Sequence, residues 1–188
     1  MADFTQLPAN LPIPQDDGAA AHLIGMRIPS IALTSTSGGD VNPGELSGTS
    51  LIYCYPMTGR PDTPLPQGWD DIPGARGCTP QSCAYRDCHH ELTGLGVTVL
   101  GLSSQTTDYQ SEMASRLHLP FAVLSDAGFV LQKALNLPTF DTSGMTLLKR
   151  LTMIVVDGVI QAVHYPIFPS DSDPAWALAT LKNGARSN

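Results

Sequence analysis

Strand-like and helix-like segments alternate through the middle of the chain, and this alternation constrains the fold more than any other feature. Residues 49–55 have the continuous apolar pattern of a buried strand that stops at Pro56, and residues 97–102 repeat that pattern. Helical patterns extend from residue 79 to about residue 95 and over residues 107–117. A helix between two strands commonly makes them parallel neighbours, so the order predicts an α/β fold.

The outer segments complete a predicted mixed sheet. An extended stretch at residues 31–36 and a Gly-Gly-Asp turn at residues 38–40 predict an N-terminal hairpin. The later elements are a short strand at 121–124, a helix at 128–136, two strands at 147–156 and 159–165, and a last helix at 174–183. We expect one α/β domain over residues 28–188, with a central mixed β-sheet flanked by helices. An irregular N-terminal leader, with a short helix near residues 17–24, precedes it at residues 1–27.

A long loop separates the first central strand from the helix that follows it. Residues 56–77 contain five prolines and four glycines and show no hydrophobic periodicity. A loop of about twenty residues without elements of its own is unusual in a compact domain and is typically functional. The helix after it begins near Pro80, because proline suits a first helical turn, with Cys78 or Thr79 as the N-cap.

The charge pattern excludes several classes of partner. The 188 residues include 17 Asp and Glu against 10 Lys and Arg, a net charge of −7, and no basic cluster occurs. We therefore expect no nucleic-acid groove and no binding to an anionic membrane surface. The apolar runs are far shorter than the ~20 residues of a membrane span, and residues 1–15 lack the pattern of a secretory signal. These features predict a cytoplasmic protein.

Three of the four cysteines, Cys78, Cys83 and Cys88, fall within eleven residues. Cys78 lies at the predicted helix start, where unpaired N–H groups and the helix dipole stabilise a thiolate. On an ideal helix Cys78 and Cys83 would have Cα atoms roughly 8.7 Å apart. A disulfide requires less than ~7 Å, so a bond between them would require the first helical turn to unwind.

Three interpretations of the cysteines remain open, and a reactive thiol with a resolving partner is the preferred one. The cysteines could instead be small buried side chains. A metal site is the third interpretation, with Cys78, Cys83, Cys88, His89 and His90 as its candidate ligands. The spacing C-x4-C-x4-C-H-H matches no common zinc pattern, so no metal is predicted.

Several other residues receive an interpretation of their own. Cys54 lies within a strand pattern and is interpreted as a core residue. Cys88 is either inert or a second resolving thiol, and the two histidines after it are expected on the helix surface. Arg76 is either a neighbour that stabilises the Cys78 thiolate or a solvated loop arginine.

The segments that carry the chemistry resemble those of a peroxiredoxin. These segments are Tyr-Cys-Tyr-Pro at 53–56, Gly-Cys-Thr-Pro-Gln-Ser-Cys-Ala-Tyr-Arg-Asp at 77–87, Val-Leu-Gly-Leu-Ser at 99–103 and Lys-Arg-Leu-Thr-Met-Ile-Val at 149–155. The chain is similar to the peroxiredoxin Q and bacterioferritin comigratory protein branch of the thioredoxin-like superfamily over about residues 27–185. The resemblance implies a thioredoxin-like fold with a long insertion, residues 57–71, before the active-site helix.

The resemblance also implies a role for individual residues. Cys78 matches the peroxidatic cysteine, Cys83 the resolving cysteine, and Arg150 the arginine that the family places against the thiolate. The family's usual threonine upstream of the nucleophile is replaced by Ala75, so we name Thr58 as the tentative hydroxyl donor, with Thr63 as the other candidate. Gln81 stands where this branch commonly has glutamate.

The activity implied by the resemblance is a thiol-dependent peroxidase that needs no cofactor. It would reduce hydrogen peroxide or organic hydroperoxides through a sulfenic acid and a Cys78–Cys83 disulfide, which thioredoxin or a similar dithiol reduces. Such proteins are monomers or homodimers. The alternative function is a thiol-disulfide redox sensor or electron carrier of the same superfamily.

Ionisation of the nucleophile accounts for little of the rate such an enzyme needs. Lowering a thiol pKa from ~8.5 to ~6 raises the thiolate fraction at pH 7 about 30-fold, but nucleophilicity falls about tenfold. The net gain of about threefold leaves most of the acceleration to donors aimed at the peroxide oxygens. We expect these to be Arg150, the backbone N–H groups of Gly77 and Cys78, and one threonine hydroxyl.

Overall fold

The structure is a computed structural model that describes residues 12–61 and 63–184. The strands in this part of the chain are β1 (Leu33–Ser35), β2 (Asp40–Val41), β3 (Thr49–Cys54), β4 (Val97–Ser103), β5 (Ala122–Ser125), β6 (Thr139–Thr142), β7 (Met145–Leu148), β8 (Leu151–Val156) and β9 (Val159–His164). The helices are α1 (Cys78–Asp87), α2 (His89–Gly94), α3 (Thr107–Arg116), α4 (Val130–Leu135) and α5 (Asp173–Gly184). The first eleven residues of the predicted leader, and residues 185–188, lie outside the described residues.

A seven-stranded sheet with the order β2-β1-β5-β4-β3-β8-β9 forms the centre of the molecule. β3, β4 and β5 run parallel to one another, whereas β1, β2, β8 and β9 pair antiparallel with their neighbours. β1 and β2 form the expected N-terminal hairpin, and the helices pack on the sheet. The prediction of a mixed sheet flanked by helices is therefore confirmed.

The two faces of β3 carry different hydrophobic clusters because side chains alternate along a strand. Leu51, Tyr53 and Tyr55 belong to the cluster that includes residues of α1, α2, α3 and α5. Ile52 and Cys54 belong to the other cluster, which includes α4 and residues 20–33. Cys54 and the cysteines of α1 therefore lie on opposite faces of the sheet.

The predicted strand at residues 147–156 is wrong in its first part. Leu147 and Leu148 belong to β7, which pairs with β6 in a separate two-stranded sheet. The N–H group of Lys149 donates to the carbonyl of Pro138 at 2.7 Å, which extends this pairing by one residue. β8 begins only at Leu151, and Arg150 lies in the connection immediately before it rather than on a strand.

The single helix predicted after the long loop is also wrong, because the structure has two helices. α1 and α2 are separated by Cys88, whose ψ of 5° departs from helical geometry. The carbonyl of Cys88 accepts hydrogen bonds from the N–H groups of Glu91 and Leu92, at 3.0 and 3.2 Å. The helix is therefore interrupted at Cys88 without leaving that carbonyl unpaired. The short helix predicted near residues 17–24 is a single 3-10 turn at Ala21–Leu23.

The long loop is held by a hydrophobic cluster of its own. Its buried members are Trp69, Ala75 and Leu147, which come from the loop and from β7. Phe140 and Met145 of the small hairpin pack against them. The hairpin thus stabilises the loop that leads to α1. Within residues 12–61 and 63–184, no helix has the length and apolar composition needed to cross a membrane.

Candidate active site

Cys78 is the first residue of α1, and its side chain is buried, with 2% of its surface exposed. The N-cap is Gly77, which offers no side chain, so the predicted cap at Cys78 or Thr79 is wrong. Pro80 occupies the first turn, where its missing N–H costs nothing. The first N–H groups of α1 therefore have no side-chain cap and face the region of the thiol.

Arg150 reaches Cys78 because of the strand order. Leu151 at the start of β8 pairs with Cys54 at the end of β3, so Arg150 lies at the edge of the sheet where the long loop departs. The Nη2 atom of Arg150 donates to Sγ of Cys78 at 3.2 Å and to the carbonyl of Gly74 at 3.3 Å. Only 8% of the Arg150 surface is exposed, so solvent screens its charge weakly. A charge-assisted hydrogen bond of this kind stabilises a thiolate.

Gly77 lies where the chain comes close both to Ser170 and to that guanidinium group. A Cβ atom on Gly77 would lie 3.0 Å from Nη2 of Arg150 and 2.6 Å from Oγ of Ser170. The Ser170 hydroxyl is buried and has no hydrogen-bond partner among the described residues. A larger residue at position 77 would require Ser170 to move, and its Cβ atom would be in tight contact with Arg150.

Thr58 lies in the same narrow slot as Cys78. This slot holds about 10 Å³, which is close to the room taken by one water molecule, and Trp69 also lines it. Thr58 is 2% exposed, and its N–H and hydroxyl groups both donate to Oε1 of Gln105, at 3.0 and 3.3 Å. Thr63 is exposed and does not line the slot. The structure thus brings Thr58, rather than Thr63, to the slot that Cys78 lines.

Cys83 lies one and a half turns along α1 and is half-buried. Burial raises the pKa of its thiol, an effect that the nearby Arg86 guanidinium partly opposes. The described cysteines are all free, and α1 is intact between Cys78 and Cys83. The structure therefore represents a reduced state with the helix folded.

The two remaining cysteines lie in different surroundings. Cys54 is fully buried, as expected for a core residue, and burial raises its pKa strongly. Cys88 is half-buried at the junction of the two helices, where its thiol contacts the Tyr85 carbonyl at 3.6 Å. Burial raises the pKa of Cys88 to about 11. Within the described part of the chain, no three His, Cys, Asp or Glu side chains are arranged to hold a metal ion.

The other arginines near the site are engaged elsewhere. Arg76 lines the slot that contains Cys78, but its guanidinium group forms a bidentate pair with Asp70, at 2.5 and 2.8 Å. Arg86 pairs with Asp87 at 2.8 Å. Arg150 is thus the arginine that the structure places within hydrogen-bond distance of the Cys78 sulfur.

A buried polar network behind Arg150 was not recognised in the sequence. Nη1 of Arg150 donates to Oε1 of Gln81, and Nε2 of Gln81 donates to Oδ2 of Asp173 at 2.8 Å. Asp173 is the first residue of α5 and is fully buried. Its position directly before Pro174 signals a helix start, but no local pattern reveals that its carboxylate points to α1.

An apolar cavity of about 260 Å³ lies on the other side of Arg150. Trp69, Phe140, Tyr165 and Ile167 line it, and so do Gly74 and Arg150 itself. Trp69 lines both this cavity and the slot that contains Cys78. The site therefore has a narrow part at the sulfur and a wider apolar part beside the arginine.

Comparisons with known proteins agree on one family. The Redoxin family model matches residues 23–180. A chloroplastic peroxiredoxin Q from Sedum lineare is 30% identical over 161 residues, which are 85% of this chain and 77% of that protein. A putative peroxiredoxin bcp from Coxiella burnetii is 31% identical over 104 residues, covering 55% of this chain and 59% of that protein. The crystal structure of peroxidoxin BcpB from Mycobacterium tuberculosis superposes with a TM-score of 0.69 at 21% identity, over 85% of this chain and 96% of that one.

Proposed function

The chain belongs to the redoxin family, in its peroxiredoxin Q and bcp branch, and on that premise we propose that it reduces peroxides with Cys78 as the nucleophile. The thioredoxin-like fold expected from the sequence is confirmed. The observation that carries the proposal is the 3.2 Å contact between the Arg150 guanidinium and the Cys78 sulfur at the start of α1. This contact places a cationic hydrogen-bond donor directly at the sulfur of the proposed nucleophile.

In the first step the Cys78 thiolate attacks the nearer oxygen of the peroxide. The O–O bond breaks, the sulfur becomes a sulfenic acid, and the departing oxygen leaves as an alcohol or water after it takes up a proton. Negative charge develops on that departing oxygen in the transition state. Donors that are already aimed at this position lower the barrier because they need no reorganisation.

We assign three kinds of donor to the peroxide. Arg150 is buried and fixed by three hydrogen bonds. Because a guanidinium group has five N–H donors, it can donate to a peroxide oxygen as well as to the sulfur. The Gly77 and Cys78 N–H groups lie at the uncapped start of α1. The Thr58 hydroxyl shares the slot with Cys78 and would turn from Gln105 to the peroxide.

Cys83 is assigned as the resolving thiol. The first turns of α1 unwind, the Cys83 sulfur attacks the sulfenic acid, and water leaves as the disulfide forms. An external dithiol, for which we propose thioredoxin, then returns both cysteines to thiols by disulfide exchange. A reducing compartment such as the cytoplasm would keep such a dithiol available, and we propose that location.

The test is peroxide consumption in the presence of thioredoxin, its reductase and NADPH. Wild type should turn over many times, Cys78→Ser should be inactive, and Cys83→Ser should react once and then stop cycling with thioredoxin. Cys54→Ser is the matched control, because Cys54 lies on the opposite face of the sheet. Full activity of Cys78→Ser would overturn the proposal.

A redox sensor or electron carrier is the second candidate, and the narrow slot at Cys78 favours it, since so small a space restricts substrate entry. In that case the disulfide forms quickly but bulk peroxide is consumed slowly. Fast consumption that saturates with thioredoxin favours the peroxidase, and slow consumption with fast disulfide formation favours the sensor.

A further inference from the structure

Asp173 is a buried carboxylate that four donors surround. Its Oδ2 atom accepts hydrogen bonds from Nε2 of Gln81 and the hydroxyl of Tyr85, both at 2.8 Å, and from the hydroxyl of Thr152 at 2.6 Å. Its Oδ1 atom lies 2.7 Å from Nδ1 of His164. Two of these partners belong to α1, one to β8 and one to β9, so the carboxylate is fixed from three elements. A carboxylate buried to this extent is stable only when its oxygens are paired in this way.

The chemistry of its neighbours fixes the orientation of the Gln81 amide. Arginine only donates hydrogen bonds, and an ionised carboxylate only accepts them. The amide of Gln81 must therefore turn its oxygen to Arg150 and its NH₂ group to Asp173. Gln81 is fully buried, so bulk solvent does not compete with either partner. A neutral amide satisfies both neighbours, which a carboxylate at this position would not do.

We infer that Gln81 and Asp173 are positioning residues that hold the Arg150 guanidinium against the Cys78 sulfur. The path runs from Asp173 through the Gln81 amide to Nη1 of Arg150, whose Nη2 atom then contacts the sulfur. Neither Gln81 nor Asp173 touches the sulfur or the peroxide, so their effect on the reaction passes through the arginine. This inference rests on the proposed function.

The arrangement depends on the total charge of positions 81 and 173. In this chain Asp173 is the acidic member of the pair, and four hydrogen-bond partners surround its carboxylate. Arg150 does not contact this carboxylate directly, because the Gln81 amide lies between them. In Gln81→Glu, two carboxylates would face each other at hydrogen-bond distance in a buried space. The repulsion pushes the side chain at position 81 away from Asp173, and the guanidinium group that it binds moves with it, away from Cys78. This movement weakens the contact with the sulfur.

The experiment measures the second-order rate constant for oxidation of Cys78 by hydrogen peroxide, in competition with a heme peroxidase. We expect Gln81→Glu to lower this constant about tenfold, and Asp173→Asn to lower it several-fold. The double variant Gln81→Glu/Asp173→Asn restores one negative charge and a complementary donor, because the asparagine NH₂ group can face the glutamate. We expect its rate constant to return to within about threefold of wild type.

The double variant separates positioning from a structural role. If Asp173 only stabilises the packing of α1, the decreases in rate constant caused by Asp173→Asn and by Gln81→Glu will add. The double variant will then be the slowest of the three. That result, or an unchanged rate constant in Gln81→Glu, overturns the inference. Thermal unfolding curves of every variant show whether it is folded at the assay temperature, so a lower rate constant caused by unfolding is recognised. If Gln81→Glu does not fold, Gln81→Met removes the amide at similar length, and we expect the same tenfold loss.

Failure of the proposed function gives a different result. In that case wild-type Cys78 itself does not react with peroxide, and no rate constant exists to compare. If only the inference fails, wild-type Cys78 is still oxidised rapidly. Either the single variants then react as fast as wild type, or the rate constant of the double variant does not return towards the wild-type value.

Discussion

The Nη2 atom of Arg150 lies 3.2 Å from the sulfur of Cys78, although 72 positions separate the two residues in the chain. The contact exists because the end of β3 and the start of β8 are neighbours, and because Gly77 leaves room beside the helix start. A second hydrogen bond from Arg150, to Gln81, fixes the plane of the guanidinium group. The position of one arginine therefore depends on the sheet, on the loop and on α1 together.

Replacing Arg150 by lysine should slow the oxidation of Cys78 while the protein stays folded. Lysine keeps the positive charge but cannot contact the sulfur and Gln81 at the same time, because it lacks the planar fork of donors. Loss of one fixed donor in an active site costs about 10²–10³ in rate. We expect the rate constant with hydrogen peroxide to fall by about that factor. Arg86→Lys is the control, since Arg86 pairs with Asp87 at the surface, and an equal loss there would contradict the account.

Replacing Thr58 by valine should lower the rate constant about tenfold, since one of several donors to the peroxide is removed. Valine has the same shape, so the slot stays closed. Thr63→Val is the matched variant, because Thr63 is exposed and outside the slot. The same competition assay measures both. A loss in Thr63→Val without one in Thr58→Val would assign the hydroxyl to the other threonine.

The hydroxyl of Tyr85 connects α1 to Asp173 at 2.8 Å and has no contact with Arg150, so it stabilises the helix in its folded form. α1 must unwind before Cys83 can reach Cys78. Removing this hydrogen bond in Tyr85→Phe should therefore speed disulfide formation several-fold, and leave less sulfenic acid for a second peroxide to oxidise to sulfinic acid. Mass spectrometry of protein treated with excess peroxide measures the sulfinic fraction. A higher sulfinic fraction in Tyr85→Phe than in wild type would contradict this role.

Asp17 binds Lys149 and accepts a hydrogen bond from the hydroxyl of Tyr165 at 2.7 Å. The Lys149 ammonium, and then the Tyr165 hydroxyl, hold the pKa of the Asp17 carboxyl well below its usual range. A lowered folded-state pKa adds stability that is complete above the ordinary carboxyl pKa and is lost as the pH falls below it. Asp17→Asn should therefore melt about 2 °C below wild type at pH 7.

The difference between wild type and Asp17→Asn should shrink as the pH is lowered to about 3, below the ordinary Asp pKa of ~3.9. Asp16→Asn serves as the control, because Asp16 accepts only a local hydrogen bond from Gly18. Melting curves at a series of pH values provide the measurement. A difference that grows on acidification would have the wrong sign and would contradict the assignment.

The sequence predicts the central elements well because their signals are local. The buried strand pattern before Pro56 and the alternation of strands and helices are sufficient for the mixed sheet. The start of α1 near Cys78 follows from the loop and from Pro80. The hydrophobic patterns fail where tertiary contacts decide the outcome. Leu147 and Leu148 are apolar enough to extend β8, but they pack with the long loop in a separate hairpin.

The polar network behind the site has no sequence signal. The sequence shows that Gln81 stands where the family branch commonly has glutamate. Its partner Asp173 lies 92 positions away, and the local sequence there indicates only the start of a helix. Local patterns report which residues are buried and seldom which polar groups meet. Only the fold shows that a buried carboxylate lies next to the Gln81 amide.

The most direct test of the account is the mass and disulfide map of the intact reduced protein after one equivalent of hydrogen peroxide. The account predicts a product that has lost two hydrogen atoms and contains one disulfide between Cys78 and Cys83, in wild type and in Cys88→Ser. It also predicts a stable sulfenic acid at Cys78 in Cys83→Ser. A disulfide between Cys78 and Cys88 in wild type, or oxidation that spares Cys78, would contradict it.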